Sequence, residues 1–284
     1  RRLSTIILIL LFLAGLSLLL YPTVSNYWNS LHQTEAIAEY TGQVEDLDSD
    51  RCEQLWAEAE SYNQSLRQKE DRYHLSEKEQ EEYERLLNVS DNGIIGYIEI
   101  PVIDCLLPVY HGTDEAVLQI ALGHIAGTSL PTGGRGTHCV ISGHRGLPSA
   151  RLLTDLDKLV EGDEFILHVL DKILTYEVDQ ILPMVDKDDH ETLENALKIE
   201  EGKDQVTLFT CTPYGVNSHR LLVRGTRVAY NGEEDKEATI SESMVESIKN
   251  YYMIYTILGL AVTLLVILLL RYLSKKKKNK QPKE

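Results

Sequence analysis

The residues with the clearest chemical potential lie in one stretch, Thr207–Gly225, which reads TLFTCTPYGVNSHRLLVRG. A β-rich run leads to Cys211, a turn containing proline and glycine follows, and a second β-rich run returns with arginines. A thiol at the end of a strand is accessible to a substrate, and positive charge nearby favours its reactive thiolate form. The pattern therefore indicates a nucleophilic cysteine. The alternative is a structural thiol, since cysteine often serves as a small buried apolar residue.

A cysteine nucleophile needs a base, and the nine histidines supply the candidates. His144 is the best placed, because it follows a β-rich run and has glycines close by on both sides. His219 is nearer to Cys211 in sequence, but we expect it to start the next strand. His111 and His124 also lie beside glycines. A structural or surface role is the alternative for each histidine, and spacing alone does not choose among them.

Three arginines could supply the positive charge. Arg220 and Arg224 are four residues apart, so both project to the same face of the returning strand, and Arg227 lies further on. A guanidinium near the thiol can stabilise a thiolate or donate hydrogen bonds to the oxyanion of an acyl-transfer intermediate. The alternative is a surface ion pair in an acidic protein. Strand geometry leaves the choice of arginine open.

The elements that would position these residues are short strands joined by turns rich in glycine and proline. This pattern, with few helices among the strands, predicts a closed or nearly closed β-barrel. The predicted strands are Ile94–Ile100, Cys105–Tyr110, Cys139–Ser142, Glu164–Leu170, Ile173–Ile181, Val206–Thr210 and Leu221–Tyr230.

The region before the strands, residues 28–88, has a helical pattern. Apolar residues recur at helical spacing, and Ser76 followed by Glu79 is typical of a capping box at a helix start. This region carries no chemistry that its sequence identifies, so we interpret it as a helical arm between a membrane anchor and the barrel.

Apolar runs at both ends of the chain predict two membrane helices. Residues 5–21 follow two arginines, and residues 253–270 precede Arg271 and the tract Lys275–Lys278. Basic residues favour the cytoplasmic side, so both termini are predicted to lie inside and residues 22–252 outside the cell membrane. The first run could also be a cleaved signal peptide, but no small-residue cleavage site follows it, so we favour an uncleaved anchor.

The charge distribution excludes one class of partner. The formal net charge is −16, but nine of the 28 basic residues lie in the predicted cytoplasmic ends, with one acidic residue opposing them. The remainder has 19 basic and 43 acidic residues, a net charge of −24. Nucleic-acid binding depends on lysines and arginines that neutralise phosphates, so we expect no nucleic acid as a partner. We interpret the lysine tract as a topology signal.

The four cysteines do not predict a disulfide framework or a metal site. A domain of this size has no need of disulfide crosslinks, and the spacings include no CxxC pair of the kind that binds structural zinc. Cys139 is interpreted as a buried strand residue. The acidic stretch 186–201 could bind calcium, but its spacing does not match a calcium loop, so we expect a solvated loop. No cofactor or metal is predicted.

At the residues around Cys211 the sequence resembles the sortase family, and within it the class C, pilin-polymerising type. The family signature Thr-Leu-x-Thr-Cys is present as Thr207–Cys211, and the class C form continues through Thr212–Gly225. The resemblance spans roughly residues 90–230. It also includes the segments Leu107–Gly112, Gly123–His124, Thr128–Pro131, Gly143–Gly146 and Leu153–Asp157.

The resemblance implies roles for three residues: Cys211 as nucleophile, His144 as the catalytic histidine and Arg220 as the catalytic arginine. It also implies a mainly β fold, an eight-stranded sortase barrel with an N-terminal helical arm and two transmembrane helices. The predicted divisions are 1–22 (anchor), 23–90 (arm, with a lid region), 91–231 (catalytic barrel), 232–251 (juxtamembrane linker), 252–271 (transmembrane helix) and 272–284 (basic cytoplasmic tail).

One feature departs from class C sortases, which usually carry an Asp-Pro-aromatic lid element over the active site. The matching segment, Lys69–Leu75, contains Asp71 and Tyr73 but no proline, so no lid residues are assigned.

The function that the resemblance implies is cleavage of a Leu-Pro-x-Thr-Gly sorting signal between Thr and Gly through a thioester on the cysteine. The acyl group would then pass to a pilin lysine. The expected partners are pilin or surface-protein precursors, an amine nucleophile and the membrane. The open alternatives are a sortase that uses a cell-wall amine, a papain-like protease, and a non-catalytic, membrane-tethered β-barrel binding module.

Overall fold

The computed structural model describes residues 2–69, 71–89, 91–229 and position 259. The elements below all belong to one compact unit, Arg1–Gly232. The predicted linker (232–251), second transmembrane helix (252–271) and basic tail (272–284) lie outside the described residues, apart from position 259.

Three helices precede the strands: α1 (Arg2–Glu45), α2 (Ser49–Leu66) and α3 (Glu77–Arg85). The apolar first half of α1 is exposed, and within the described residues α1 is the one helix long and apolar enough to cross a membrane. The helix continues through Pro22, so the predicted boundary between anchor and arm falls inside one element. The predicted capping box is present at the start of α3, where Ser76 and Glu79 bond to each other's backbone N–H groups.

Eight strands form a closed barrel in the order β1-β2-β3-β4-β7-β8-β6-β5, which confirms the predicted fold class. The strands are β1 (Ile94–Ile100), β2 (Cys105–His111), β3 (Leu122–His124), β4 (Thr137–Ser142), β5 (Glu164–Val169), β6 (Lys172–Asp186), β7 (Asp204–Thr212) and β8 (His219–Arg227). The additional short helices are α4 (Glu115–Leu118) and α5 (His190–Ala196), with 3₁₀ turns at Pro101–Ile103 and Leu156–Lys158. The three-residue strand β3 was not among the strands that the sequence pattern predicted.

Six of the eight pairings that close the barrel are antiparallel, and the other two, β2–β3 and β4–β7, are parallel. In the β4–β7 pair both strands run toward the same end of the barrel. Their last residues therefore lie side by side, and the turns that follow leave the barrel at one place.

The barrel interior is filled by alternate residues of each strand, as the two-residue period of a strand requires. In β7 these are Val206 and Leu208, both fully buried. The arm belongs to the same core, because Leu55 and Ala59 of α2 and Tyr83 of α3 pack into the cluster that the barrel residues form. The arm is therefore an integral part of the folded unit.

A polar contact also fixes the arm to the barrel. The buried side chain of Asn63 donates to the carbonyl of Leu130 (3.0 Å) and to Thr132 Oγ1 (2.9 Å), and accepts from the Leu130 N–H (2.7 Å). An asparagine whose donor and acceptor are both used specifies the position of α2 against the chain that leads into β4.

Candidate active site

The strand pairing brings Cys211, His144 and Arg220 to one level of the barrel. In the parallel pair, Ser142 of β4 lies opposite Phe209 of β7. Two further residues along each chain lead to His144 and Cys211. On the other side of β7, Cys211 lies directly opposite Arg220 of β8. Neighbouring strands are about 4.8 Å apart, so the three residues lie at one level, at or just beyond the ends of three consecutive strands.

Two hydrogen bonds continue the β4–β7 pairing beyond the last residue of β4. The Gly143 N–H donates to the carbonyl of Phe209 (3.1 Å), and Thr210 Oγ1 donates to the carbonyl of Gly143 (2.7 Å). Thr210 is buried, so the second bond is shielded from water. These contacts fix the backbone next to His144 against the strand that carries Cys211.

Gly143 is required by close packing rather than by a special backbone angle. A Cβ atom at this position would lie 2.3 Å from Cδ2 of Leu122 and 3.0 Å from Cδ1 of Leu153. A larger residue would push the strand end away from the core and would move His144.

Alternation along β7 explains the exposure of the thiol. Cys211 shares its face with Thr207 and Phe209, the face opposite to the barrel core. Its side chain is partly exposed, whereas Cys52, Cys105 and Cys139 are buried, and all four cysteines are free thiols. Burial raises the pKa of Cys105 to about 12 and also raises the pKa of Cys139, so neither forms a thiolate readily. Cys211 is the accessible thiol of the four.

The His144 side chain is partly exposed, but its Nε2 atom is buried and has no hydrogen-bond partner among the described residues. This nitrogen is therefore not committed to a hydrogen bond within the described residues. The backbone after it is closed into a loop, because the Leu153 N–H donates to the His144 carbonyl (3.2 Å). We call residues 144–154 the histidine loop.

Arg220 is held by the turn between β7 and β8. Its Nη1 donates to the carbonyls of Asn217 (3.2 Å) and His219 (3.1 Å). These bonds place the guanidinium beside the turn that follows Cys211. Asp188, in the connection after β6, has its pKa lowered chiefly by Lys187, with a smaller contribution from Arg220, so the positive charge faces this acidic connection.

The other candidate histidines occupy structural positions. Alternation puts His219 opposite Thr212, on the face away from Cys211. His124 is fully buried at the end of β3, and its ring bonds to Tyr83 and to the carbonyl of Ser129. His111 is buried at the end of β2 and packs edge-on against the Tyr83 ring.

The other candidate arginines have partners elsewhere. Arg224 shares its face with Arg220, as predicted, but donates from Nε and Nη2 to both carboxylate oxygens of Asp179 (2.9 and 3.1 Å). The Arg227 guanidinium lies over the ring of Tyr176, 5.5 Å from its centroid. Arg224 therefore fits the ion-pair role that was the alternative for the arginines, whereas Arg227 makes a ring contact that the sequence did not indicate.

Arg145 is a residue of the site that the sequence reasoning did not single out. Its Nη1 donates to Thr212 Oγ1 (3.1 Å), its Nε to the Thr154 carbonyl (3.1 Å), and its Nη2 pairs with Asp157. It thereby connects the residue after His144 with the residue after Cys211. The signal was present in the Gly143–Gly146 and Leu153–Asp157 segments, which hold both partners of the ion pair.

The segment in the position of a class C lid makes its polar contacts away from the three site residues. Asp71 pairs with His74 (2.9 Å), and Arg72 Nη2 donates to Tyr73 (2.8 Å) and to the carbonyl of Leu197 (2.8 Å). The backbone of the segment also packs closely against Gly127. A Cβ atom at Gly127 would lie 2.1 Å from the Arg72 carbonyl oxygen. In the described part of the segment, these contacts attach it to the barrel near α5.

Nothing in the described ranges forms a metal site, since no group of three or more His, Cys, Asp or Glu side chains there is arranged to hold an ion. The acidic connection between β6 and β7 instead contains local contacts, such as the bond from Thr192 Oγ1 to Asp189 (2.7 Å).

Comparison with known proteins gives a consistent family. The family described as "Sortase domain" matches residues 98–228. Sortase C1 from Streptococcus agalactiae is 46% identical, with a TM-score of 0.66, over 69% of this chain and 100% of that one. A Streptococcus pneumoniae sortase C structure, described as giving insight into catalysis and pilin substrate specificity, is 44% identical (TM-score 0.61) over 69% and 97%.

A third structure, Clostridium perfringens sortase C with the C-terminal cell wall sorting motif, is 40% identical (TM-score 0.60) over 69% of this chain and 99% of that one. Such identities over almost the whole length of the solved chains go beyond a shared fold. The chain belongs to the sortase family of cysteine transpeptidases, and the solved structures that it resembles include class C sortases.

Proposed function

We propose that this protein is a membrane-anchored class C sortase that cleaves a Leu-Pro-x-Thr-Gly sorting signal between Thr and Gly and joins the acyl group to a pilin lysine. The observation that carries the proposal is that Cys211, His144 and Arg220 lie at one level of the barrel, at the ends of three adjacent strands. The similarity to class C structures supports the pilin substrate, and the structure with a bound sorting motif supports the sorting signal.

In the first half-reaction the Cys211 thiolate attacks the carbonyl carbon of the threonine. A C–S bond forms, the C–N bond to glycine breaks, and His144 gives a proton to the departing amine. The partly exposed thiol and the unpartnered Nε2 of His144 support these roles. The product is a thioester on Cys211.

In the second half-reaction the lysine amine attacks the thioester. His144 takes a proton from this amine, the C–S bond breaks, and an isopeptide bond forms with release of the thiolate. A water molecule in place of the amine would give slow hydrolysis. Product formation is therefore expected to depend on the amine.

Arg220 is proposed to bind the oxyanion of each tetrahedral intermediate. A guanidinium has five N–H donors, and the two bonds from Nη1 to backbone carbonyls leave donors on Nε and Nη2. Fixed donors at the site of developing charge stabilise a transition state more than a ground state. Arg220 would therefore contribute chiefly to the rate of acyl transfer.

The membrane setting is part of the proposal. The exposed apolar half of α1 supports an anchor, and the apolar run 253–270 would be a second, with both termini in the cytoplasm and the barrel outside. Precursors with sorting signals are tethered to the same membrane. Confining enzyme and substrate to one surface raises their effective concentration.

The test uses the full chain in detergent micelles with a sorting peptide, and either a lysine-bearing pilin peptide or a cell-wall peptide amine. Mass spectrometry of the products should show the isopeptide product with the pilin lysine and none with Cys211→Ala. A product with the wall amine alone would indicate a wall-anchoring sortase instead. Hydrolysis independent of any amine would indicate a protease, and an inert thiol would indicate a binding module.

A further inference from the structure

The part of α1 that follows its exposed apolar half contacts the barrel through three amide side chains. Asn29 Nδ2 donates to the carbonyl of Ser149 (2.9 Å), and Asn26 Oδ1 accepts from the N–H of Arg151 (2.6 Å). One turn further on, Gln33 Nε2 donates to the carbonyl of Ile120 (2.5 Å). The first two contacts are made to the histidine loop, and the third is made to a different connection, between α4 and β3.

The histidine loop is closed at its base and held by α1 at its far end. At the base, the Leu153 N–H donates to the His144 carbonyl (3.2 Å), and the Gly146 N–H donates to Thr154 Oγ1 (3.2 Å). The residues that α1 binds, Ser149 and Arg151, lie between these two ends. The two bonds at the base lie within the loop. The loop is attached to the rest of the protein by the Arg145 bond to Thr212, by the packing of Ala150, Leu152 and Leu153 in the core, and by the two bonds from α1.

The attachment to α1 depends on hydrogen bonds more than on dense packing. A cavity of about 190 Å³ lies at the same contact, with Asn26, Ser30 and Arg151 among its lining residues. The side chains that line this gap make no van der Waals contact across it. The ion pair of Arg151 joins it to Asp155, the residue that follows the loop, and does not connect the loop to α1.

We propose that Asn26 and Asn29 are positioning residues of the active site, through which the juxtamembrane part of α1 holds the histidine loop and thereby orients His144. The inference rests on the proposed role of His144. Neither asparagine contacts the reacting groups. Because Nε2 of His144 has no partner among the described residues, the orientation of the ring depends on the backbone that carries it.

Loss of either bond should loosen the far end of the loop and reduce the fraction of molecules with His144 correctly placed. The sorting peptide would bind as before, so kcat should fall while KM stays the same. The Asn29 bond is half-buried and the Asn26 bond is exposed, and one intramolecular hydrogen bond corresponds to roughly a 5-fold change in an equilibrium. We therefore expect Asn26→Ala and Asn29→Ala each to lower kcat by about 3- to 10-fold.

Replacement of asparagine by aspartate is expected to have opposite effects on activity at the two positions. Asn26 accepts a hydrogen bond, so the carboxylate of Asn26→Asp still accepts from the Arg151 N–H and should rescue the activity that Asn26→Ala loses. Asn29 donates, so Asn29→Asp cannot bond to the Ser149 carbonyl and should be as impaired as Asn29→Ala. Gln33→Ala is the matched control, since it removes the same type of bond from the same helix to another connection.

The measurement uses the full chain in detergent micelles, with kcat and KM determined for a sorting peptide and an amine, and with hydrogen exchange followed in peptides covering 145–155. Faster exchange in this loop for Asn26→Ala, Asn29→Ala and Asn29→Asp, but not for Gln33→Ala, is expected together with the loss in kcat. Equal effects of Gln33→Ala, or unchanged kcat and exchange in the asparagine variants, would overturn the inference. Failure of the unsubstituted protein to use any sorting peptide would refute the proposed function, while the exchange pattern would still decide whether α1 holds the loop.

Discussion

Two histidines that look alike in the sequence occupy very different surroundings. His124 and His144 each follow a glycine at or just beyond the end of a strand, on the neighbouring strands β3 and β4. The His124 ring bonds at Nδ1 to Tyr83 (2.8 Å) and at Nε2 to the Ser129 carbonyl (2.9 Å), and the residue is fully buried. His144 is partly exposed, and its Nε2 has no partner among the described residues.

The difference separates a structural histidine from one suited to proton transfer. A ring whose two nitrogens are both bonded within the protein has no atom left for a substrate, and burial lowers the pKa of His124 to about 3. Its imidazole is therefore neutral at physiological pH. A partly exposed ring with an unbonded nitrogen can give and take a proton. The glycine beside each histidine is the same, so the neighbouring side chains decide the role.

The largest expected effect that tests this contrast is the loss of activity in His144→Ala. Removal of a general acid and base should lower kcat/KM by about 10²- to 10⁴-fold. The thermal unfolding temperature should change little, because Nε2 has no partner to lose. His219→Ala, on the opposite face of β8, is the control and should keep most of the activity. Equal losses of kcat/KM in His144→Ala and His219→Ala would contradict a special role of His144 in proton transfer.

The next effect concerns the two arginines on one face of β8. Arg220→Ala should lower kcat by roughly 10²- to 10³-fold, as the loss of an oxyanion donor does in other enzymes. Arg220→Lys should restore little, because an ammonium does not reproduce the planar set of donors. Arg224→Ala, which removes the pairing with Asp179, serves as the control. A loss of kcat in Arg224→Ala as large as that in Arg220→Ala would contradict the assignment of the oxyanion-binding role to Arg220 alone.

His124→Ala should act on stability instead of chemistry. It removes a buried ring, takes one hydrogen bond from the Tyr83 hydroxyl and leaves the Ser129 carbonyl without the ring N–H, which should lower the free energy of unfolding by about 2–4 kcal/mol. The folded fraction should keep its kcat. Urea unfolding and active-site titration separate the two quantities, and a lower kcat at unchanged stability would contradict the structural role.

The smallest effect is the dependence of stability on pH. Burial lowers the pKa of His111 from 6.5 to about 4 and that of His124 from 6.5 to about 3. Below pH 6.5 the unfolded chain therefore binds protons that the folded chain does not, so stability is complete above this pH and falls as the pH decreases toward 4. The slope should be roughly 1 kcal/mol per pH unit for each histidine.

Urea unfolding at pH 7, 6 and 5 measures this slope, and His124→Ala should reduce it. A slope that is unchanged in His124→Ala would contradict the assignment of this pH dependence to the buried His124 ring.

The sequence predicted most of the local structure because its signals are local. Strands such as β1 (Ile94–Ile100) show in their own composition, and the capping box of α3 needs only Ser76 and Glu79. The strand β3 was missed because three residues are too few for an alternating pattern, and its conformation depends on pairing with β2 and β4. The continuation of α1 through Pro22 also runs against the usual helix-breaking effect of proline.

The sequence named the members of the candidate site, which stay a prediction, but it did not indicate how they are brought together. The residues around Cys211 identified the thiol, and the resemblance to sortases singled out His144 and Arg220. That His144 lies beside Cys211 depends on the parallel pairing of β4 with β7, a long-range contact that no spacing in the sequence reveals. The role of Arg145 as a link between the two turns is equally non-local.

The parallel pairing of β4 and β7 has a consequence for how this site tolerates change. Gly143 and Thr210, joined by a hydrogen bond, are 67 residues apart, and the chain between them includes strands β5 and β6 of the same barrel. Lengthening one of the loops in this stretch costs little, because the entropy of closing a loop grows only slowly with its length. The connection around α5 leaves β6 at Asp186, which pairs with His219 at the same end of the barrel as the site, so insertions there would reshape the surface that meets a substrate while the thiol and the imidazole stay in register.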